Sequence, residues 1–179
     1  LSHLIRSFFG NGEKYNVLID YSEEIKELST IGPLTIIPNL PQDFLVMNGD
    51  ILTDMNYVDL MNYHKKNKSV ITVAVTKRYV CQDFGIIEYD SSKKLKSFKE
   101  KPTLSYEVSM GVYCINKQVI DSLKANAFYG FDNLMHDSLQ LKRDVSIYPY
   151  NGFWKDIGRR EDYEDANKDF KQIYEMLNV

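Results

Sequence analysis

Short apolar runs of strand character, separated by segments of helical character, constrain this chain more than any other feature. The run Val70-Ile71-Thr72-Val73-Ala74-Val75 is rich in β-branched residues and is the clearest strand. Phe44-Leu45-Val46-Met47 is a continuous apolar run of strand length, as expected for a strand buried on both faces. Between them, Asp54 is placed to cap a helix whose apolar face is Tyr57, Val58, Leu60 and Met61. Alternation of this kind predicts an α/β sheet with helices on its faces.

Further along, Phe84–Tyr89 and Leu95–Lys99 read as strands joined by the turn Asp90-Ser91-Ser92-Lys93, an antiparallel hairpin. Val108–Ile115 is another strand, followed by a short helix near Lys117–Leu123, a helix over Asp132–Leu141 and a strand at Val145–Tyr150. Trp154–Ile157 is a brief extended piece, and Glu161–Leu177 a closing helix. Near the start, Leu1–Phe9 has the pattern of an amphipathic helix stopped at Gly10, and Lys14–Asp20 that of a strand. Gly32-Pro33 suits a loop running into a helix with proline in its first turn. No internal repeat or Pro/Gly-rich linker divides the 179 residues, so one domain is expected. The chain opens on a helix where a doubly wound sheet opens on a strand, which predicts that an N-terminal strand is missing.

Charge and cysteine content narrow the function classes. A formal net charge of −3 supplies no basic field for phosphate backbones, so nucleic-acid binding is disfavoured. No apolar run approaches the roughly 20 residues of a membrane span. Cys81 and Cys114 are too few for a disulfide framework; each reads as a small buried hydrophobe, and a cytoplasmic location is expected. The three histidines, His3, His64 and His136, lie far apart without zinc-like spacing, and His64 beside Lys65 and Lys66 reads as a solvated helix end. Dinucleotide, Walker and nucleophile-elbow signatures are absent.

Two aspartates and one lysine carry the chemistry that is left. Asp50 follows the Phe44–Met47 run, at the carboxyl end of a strand where α/β sheets bind ligands. It is either a turn aspartate after glycine or a ligand for Mg²⁺, an ion that favours one or two carboxylates with water and phosphate. Asp156, at the end of the extended piece before the last helix, is either a loop or capping residue or a second carboxylate for the same ion. Glu100-Lys101-Pro102 ends the Leu95–Lys99 strand; Lys101 is either one surface charge in a lysine-rich stretch or a point-charge partner for phosphate.

The order of these pieces decides between the alternatives. Asn48-Gly49-Asp50, Phe84-Gly85-Ile86-Ile87-Glu88, Glu100-Lys101-Pro102, Gly111-Val112-Tyr113 and Trp154-Lys155-Asp156-Ile157-Gly158, with Asp162-Tyr163 and Ala166, run across nearly the whole chain. In this series the chain resembles the sugar-1-phosphate nucleotidyltransferases, in their mannose-1-phosphate guanylyltransferase and glucose-1-phosphate thymidylyl- or cytidylyltransferase branches alike. The resemblance implies a Rossmann-like, mixed and mostly parallel sheet with helices on both faces, and a transferase that makes nucleotide sugars. It implies a nucleoside triphosphate and a sugar 1-phosphate as substrates, an NDP-sugar and pyrophosphate as products, and Mg²⁺ as cofactor. Asp50 and Asp156 match the metal-binding aspartates, and Glu100 and Lys101 the pair at the sugar and its phosphate. Gly85 and Gly111 match positions where backbone approaches the sugar.

The family's glycine-rich, Arg- and Lys-bearing loop for the triphosphate has no counterpart in this sequence, so weak or no turnover is expected of this chain alone. The nucleotide-side segment reads Ser29-Thr30-Ile31-Gly32-Pro33-Leu34, where Thr30 and Gly32 are positioned to face the base, and Arg159-Arg160 replaces a more usual basic residue and proline. Two other readings compete: a glycosyltransferase of similar sheet architecture, poorly served by Asp54 four positions after Asp50, and a non-catalytic binding or regulatory subunit. The base, the sugar and the oligomeric state, a homo-oligomer included, are open.

Overall fold

A computed structural model describes residues 2–177, so Leu1, read as the first residue of the opening helix, lies outside the described residues. In chain order the elements are α1 (Ser2–Phe9), β1 (Asp43–Met47), β2 (Ile51–Thr53), α2 (Tyr57–Asn67), β3 (Ile71–Cys81), β4 (Ile86–Tyr89) and β5 (Leu95–Lys99). There follow β6 (Thr103–Asn116), α3 (Lys117–Asp121), α4 (Phe131–Gln140), β7 (Val145–Pro149), β8 (Trp154–Asp156), α5 (Arg160–Lys168) and α6 (Phe170–Leu177). Contacts gather into two compact units: Leu1–Leu40 with Gln118–Lys142, and Pro41–Lys117 with Arg143–Val179.

The larger unit is built on a four-stranded sheet of order β1-β6-β3-β7. β1 and β3 both run antiparallel to β6, while β7 runs parallel to β3, so three strands point one way and β6 opposes them. β2 pairs antiparallel with β8, and β4 with β5 as the hairpin read from the sequence. The β-branched run lies within β3, where Ile71 to Val75 are all buried. β1 is an edge strand of this sheet: Phe44 is buried but Met47 is exposed, so the apolar run is not covered on both faces as expected. One neighbour, β6, supplies all its ladder bonds.

Helix α2 shows how local chemistry decides details that periodicity leaves open. Its cap is Asn56, whose side chain accepts hydrogen bonds from the amides of Val58 and Asp59, and not Asp54. Asp54 instead accepts the hydroxyl of Tyr150. Leu60 and His64, four residues apart, share the buried face, whereas Val58 points to solvent. His64 is therefore no solvated helix end. It shares hydrogen bonds with Thr72 (2.8 Å) and Asp43 (3.3 Å), which tie the last turn of α2 to β3 and β1. Lys68 at φ 55° then ends the helix.

A core cluster of Ile51, Met55, Leu60, Ala74, Met110, Val112 and Cys114 joins β2, α2, β3 and β6, with Trp154 and Tyr150 packed on its margin. The closing helix divides into α5 and α6 at Asp169, whose ψ of 9° leaves the helical range.

In the smaller unit, α1 ends at Gly10 as expected. Lys14–Asp20 is not a strand. Glu13–Tyr15 forms a 3-10 turn, and the amides of Val17 and Ile19 bond back to Gly12 and Asn11. Those local bonds take the place of a ladder, and Val17 and Leu18 are exposed. Gly32–Ile36 is a 3-10 turn with Pro33 at its start. The amide of Phe131, the first of α4, donates to Thr30 Oγ1 at 2.9 Å.

The two cysteines differ. Cys114 is fully buried, and burial first, then the nearby Asp43 charge, push its thiol up to about 11. Cys81 is exposed, contrary to expectation, because β3 runs on past the core to a stretch that only β6 flanks. Since a thiol with a raised pKa stays protonated below it, one thiol, Cys81, reacts with Ellman's reagent in the folded protein across pH 7–9. Two react in denaturant, and C81S abolishes the fast-reacting thiol. Rapid modification of both thiols in the native state would contradict this assignment.

Candidate functional site

The site begins at an irregularity in β6. Register with β3 passes from Val73 opposite Tyr113 to Val75 opposite Ser109, so β6 carries extra residues at Met110-Gly111-Val112. Gly111 adopts φ 72°, a left-handed backbone that glycine takes without steric cost. The bulge turns Met110 O out of the β3 ladder, while Gly111 O faces β1 in register with it. Gly111 O accepts the amide of Asn48 at 2.9 Å, and Met110 O accepts the indole Nε1–H of Trp154 at 2.9 Å. Asn48 stands two residues before Asp50 and Trp154 two before Asp156. Two neighbouring carbonyls of β6, Gly111 O in line with the β1 ladder and Met110 O at the bulge, thus anchor the segments that carry both aspartates.

Pairing of β2 with β8 completes the convergence. Ile51 stands opposite Asp156, and the amide of Ile157 donates to Asp50 O at 2.9 Å. Thr53 Oγ1 donates to Phe153 O at 2.8 Å, and the Tyr150 hydroxyl bonds to Asp54 just beyond. Burial, followed by that hydrogen bond, holds the Tyr150 hydroxyl protonated well above the ordinary tyrosine range. The side chains of Asp50 and Asp156 meet at Gly158. A β-carbon at residue 158 would lie 2.6 Å from Asp50 Oδ2 and 3.1 Å from Asp156 Oδ1. The amide of Gly158 donates to Asp156 Oδ1 at 2.8 Å, fixing that carboxylate's orientation. Both aspartates are exposed, and the absence of a side chain at 158 leaves the space between them open.

Two carboxylates with room between them form the donor set that hard oxygen-seeking cations prefer. Among the described residues no group of three or more His, Cys, Asp or Glu converges in this way, so any further ligands to an ion there would come from water or substrate. Beside Asp156 opens a cleft of about 360 Å³, walled by Arg78, Tyr106, Val108, Trp154, Arg159 and Asp162 among others.

The remaining residues singled out from the sequence fall into separate groups. Gly85 and Glu100 face one another across the β4–β5 hairpin. A β-carbon at Gly85 would approach the Phe98 ring at 2.6 Å and Glu100 Oε2 at 3.0 Å. Lys101 follows with φ 39°, exposed, in the link to β6, and among the described residues it has no ion-pair partner. Thr30 and Gly32 belong to the smaller unit, where each has an internal role. Thr30 receives the first amide of α4, and Gly32 lies so close to Ala127 that a β-carbon would stand 2.4 Å from its carbonyl oxygen.

Several residues of the site were not picked out by sequence reasoning. Asn48 and Gly158 sit inside quoted motifs, but their roles appear only once the bulge and the paired strands are in place. Trp154 is the chain's sole tryptophan, and its hydrogen bond to a bulge carbonyl has no local sequence signal. Arg78, 78 residues before Asp156, has none either.

Comparison with known proteins places these features in a family context. Residues 1–173 match the family described as Nucleotidyl transferase. The chain is 26% identical over 157 residues to the mannose-1-phosphate guanylyltransferase catalytic subunit beta of Drosophila pseudoobscura pseudoobscura, covering 84% of this chain and 42% of that protein. It is 28% identical over 151 residues to a glucose-1-phosphate adenylyltransferase of Clostridium acetobutylicum, covering 78% of this chain and 40% of that one. The chain therefore spans less than half the length of these curated relatives. The crystal structure of HddC from Yersinia pseudotuberculosis superposes with a TM-score of 0.68 at 20% identity, over 93% of this chain and 73% of that one, a likeness of fold. The α/β nucleotide-sugar transferase fold expected from the sequence is thereby borne out.

The bulge generates a direct test. G111A forces an L-residue to φ 72° and brings its methyl 2.8 Å from Asn48 Nδ2. It lowers unfolding free energy by about 1–2 kcal/mol in urea titration. A variant as stable as the parent shows that the bulge is not held by this glycine.

Proposed function

Because the chain belongs to the nucleotidyl transferase family, we propose that it joins a sugar 1-phosphate to a nucleoside triphosphate, yielding an NDP-sugar and pyrophosphate. The observation that carries this reading is the meeting of Asp50 and Asp156 at Gly158, in a chain matched to the family over residues 1–173. The names of its relatives, guanylyl- and adenylyltransferases of hexose 1-phosphates, support a sugar 1-phosphate as acceptor.

In this reaction a phosphate oxygen of the sugar 1-phosphate attacks the α-phosphorus of the triphosphate. A new P–O bond forms, the bond from the α-phosphorus to the oxygen bridging to the β-phosphorus breaks, and pyrophosphate leaves with that oxygen and its electron pair. Such transfer depends on positioning and on neutralising charge, with little covalent work for the protein.

Asp50 and Asp156 would hold Mg²⁺. The residues fit the ion: both donors are carboxylate oxygens, both are reachable by solvent, and the missing β-carbon at 158 leaves the space an ion needs. When bound, Mg²⁺ supplies electrophilic neutralisation of phosphate charge. The Gly158 amide keeps Asp156 oriented before substrate arrives. Lys101 contributes a mobile point charge toward the sugar phosphate, and Glu100 an acceptor for sugar hydroxyls. Gly85 and Gly111 allow close approach of backbone to the sugar. Residues 1–179 belong, on this reading, to a nucleotidyltransferase domain that works outside membranes. Among the described residues no helix is long and apolar enough to cross one.

Two measurements test the proposal. Mn²⁺ binding, read from loss of the free-ion EPR signal, weakens at least tenfold in D50N and in D156N. G158A weakens it similarly, because its methyl enters the space between the carboxylates. Pyrophosphate release is then assayed with GTP or ATP and mannose or glucose 1-phosphate. Activity unchanged in D50N would remove that aspartate from the reaction.

A further inference from the structure

Arg78 and Arg159 line the cleft beside Asp156 together with Lys155, and the reaction as proposed gives neither arginine a role. Arg78 stands on β3 opposite Tyr106 of β6, with its guanidinium 5.7 Å from the centre of the Trp154 ring. Arg159 sits immediately before α5, three residues after Asp156. Both wall the 360 Å³ cleft that Asp156 also lines. Although Asp156 and Asp162 share that wall, neither arginine lies within ion-pair distance of a carboxylate among the described residues. Surface arginines are ordinarily solvated one at a time. Here two of them, brought together from positions 78 and 159, leave their guanidinium donors free toward one cleft.

We propose that Arg78 and Arg159 form a phosphate-binding subsite, positioning a phosphoryl group of the substrate beside the Asp50–Asp156 pair. The inference rests on the nucleotidyl-transfer reading and deepens it. A guanidinium offers five donors in a planar fork that matches phosphate oxygens two at a time. The Trp154 ring beneath Arg78 favours a fixed orientation through cation–π attraction while leaving the in-plane N–H groups available. Trp154 is itself fixed by its bond to Met110 O, so the bulge in β6 also indirectly orients Arg78. A divalent ion held by the two aspartates would offset the negative charge of Asp156 in the cleft wall, leaving Arg78, Arg159 and Lys155 as the cations facing it. The phosphoryl group has two sources, the triphosphate and the sugar 1-phosphate. Both arginines are positioning residues for whichever one enters.

Calorimetric titration of the full chain at saturating Mg²⁺ with pyrophosphate, GTP and mannose 1-phosphate tests the proposal. R78M and R159M each weaken pyrophosphate binding about tenfold, and R78K restores part of the loss because it returns charge without the fork. A loss confined to GTP assigns the subsite to the triphosphate; one confined to mannose 1-phosphate assigns it to the sugar phosphate. Mn²⁺ affinity measured by EPR stays at the parental value in both variants, and near-UV circular dichroism reports that they are folded. Anion affinities within twofold of the parent in R78M and R159M overturn the subsite even if Mn²⁺ binds normally. Failure of the parent chain to bind Mn²⁺ overturns the metal reading instead, and the anion titrations still decide the arginines.

Discussion

Everything at the site depends on two neighbouring carbonyl groups of β6, one in line with its β1 ladder and one that a bulge frees from its β3 ladder. Buried backbone acceptors must be satisfied, and here Asn48 N and Trp154 Nε1 satisfy them. Those two carbonyls therefore fix the positions of two segments more than a hundred residues apart in sequence. A regular β6 would direct Met110 O into β3 and take that anchor from Trp154, while Asn48 continues the β1–β6 register. Gly111 makes the bulge affordable, since its φ of 72° would cost any L-residue about 1–2 kcal/mol.

With the segments anchored, the short β2–β8 pair sets the distance between the carboxylates. Three paired residues are too few to hold by themselves. Supporting bonds flank them: Ile157 N to Asp50 O at one end, and Thr53 Oγ1 to Phe153 O and Tyr150 to Asp54 at the other. Ile51, buried between the two aspartate-bearing ends, packs with Met55 and Met110 and ties the pair to the core. Rigidity of the site thus comes from the apolar interior, while its charged atoms stay in solvent.

How much of this the sequence disclosed varied with the range of the interactions. Strands read from β-branched runs and the β4–β5 hairpin were legible because their signals are local. Residue 50 and residue 156 stood out for the same reason, each being an acid at the end of an apolar run. Lys14–Asp20 misled because Val17-Leu18-Ile19 has strand composition, while glycines at 10 and 12 bend the chain back to capture its amides locally. His64 misled because its lysine neighbours face solvent while its own ring, one turn on from Leu60, faces the sheet. Asn48, Trp154, Gly158 and Arg78 were illegible on physical grounds. The partners of Asn48, Trp154 and Arg78 lie 44 to 76 positions away, and Gly158 meets Asp50 from more than a hundred positions on, all brought close only by tertiary pairing.

The arrangement also settles an energetic question about two like charges. Carboxylates that converge on one point repel, yet at the surface in water unit charges 4 Å apart interact by only about 1 kcal/mol. Asp50 and Asp156 are exposed, so the repulsion is screened and the backbone bonds around β2 and β8 offset it. Burial of the same pair would raise that repulsion several-fold, to be relieved by a bound cation or by a proton on one of them. Exposure instead lets the protein fold with the two acids already in position. Affinity for a divalent ion then reports on the site itself and not on the stability of the fold. The same logic extends to Arg78 and Arg159, whose charges also stay in solvent and unpaired, ready for an anion without first having to leave an internal acid.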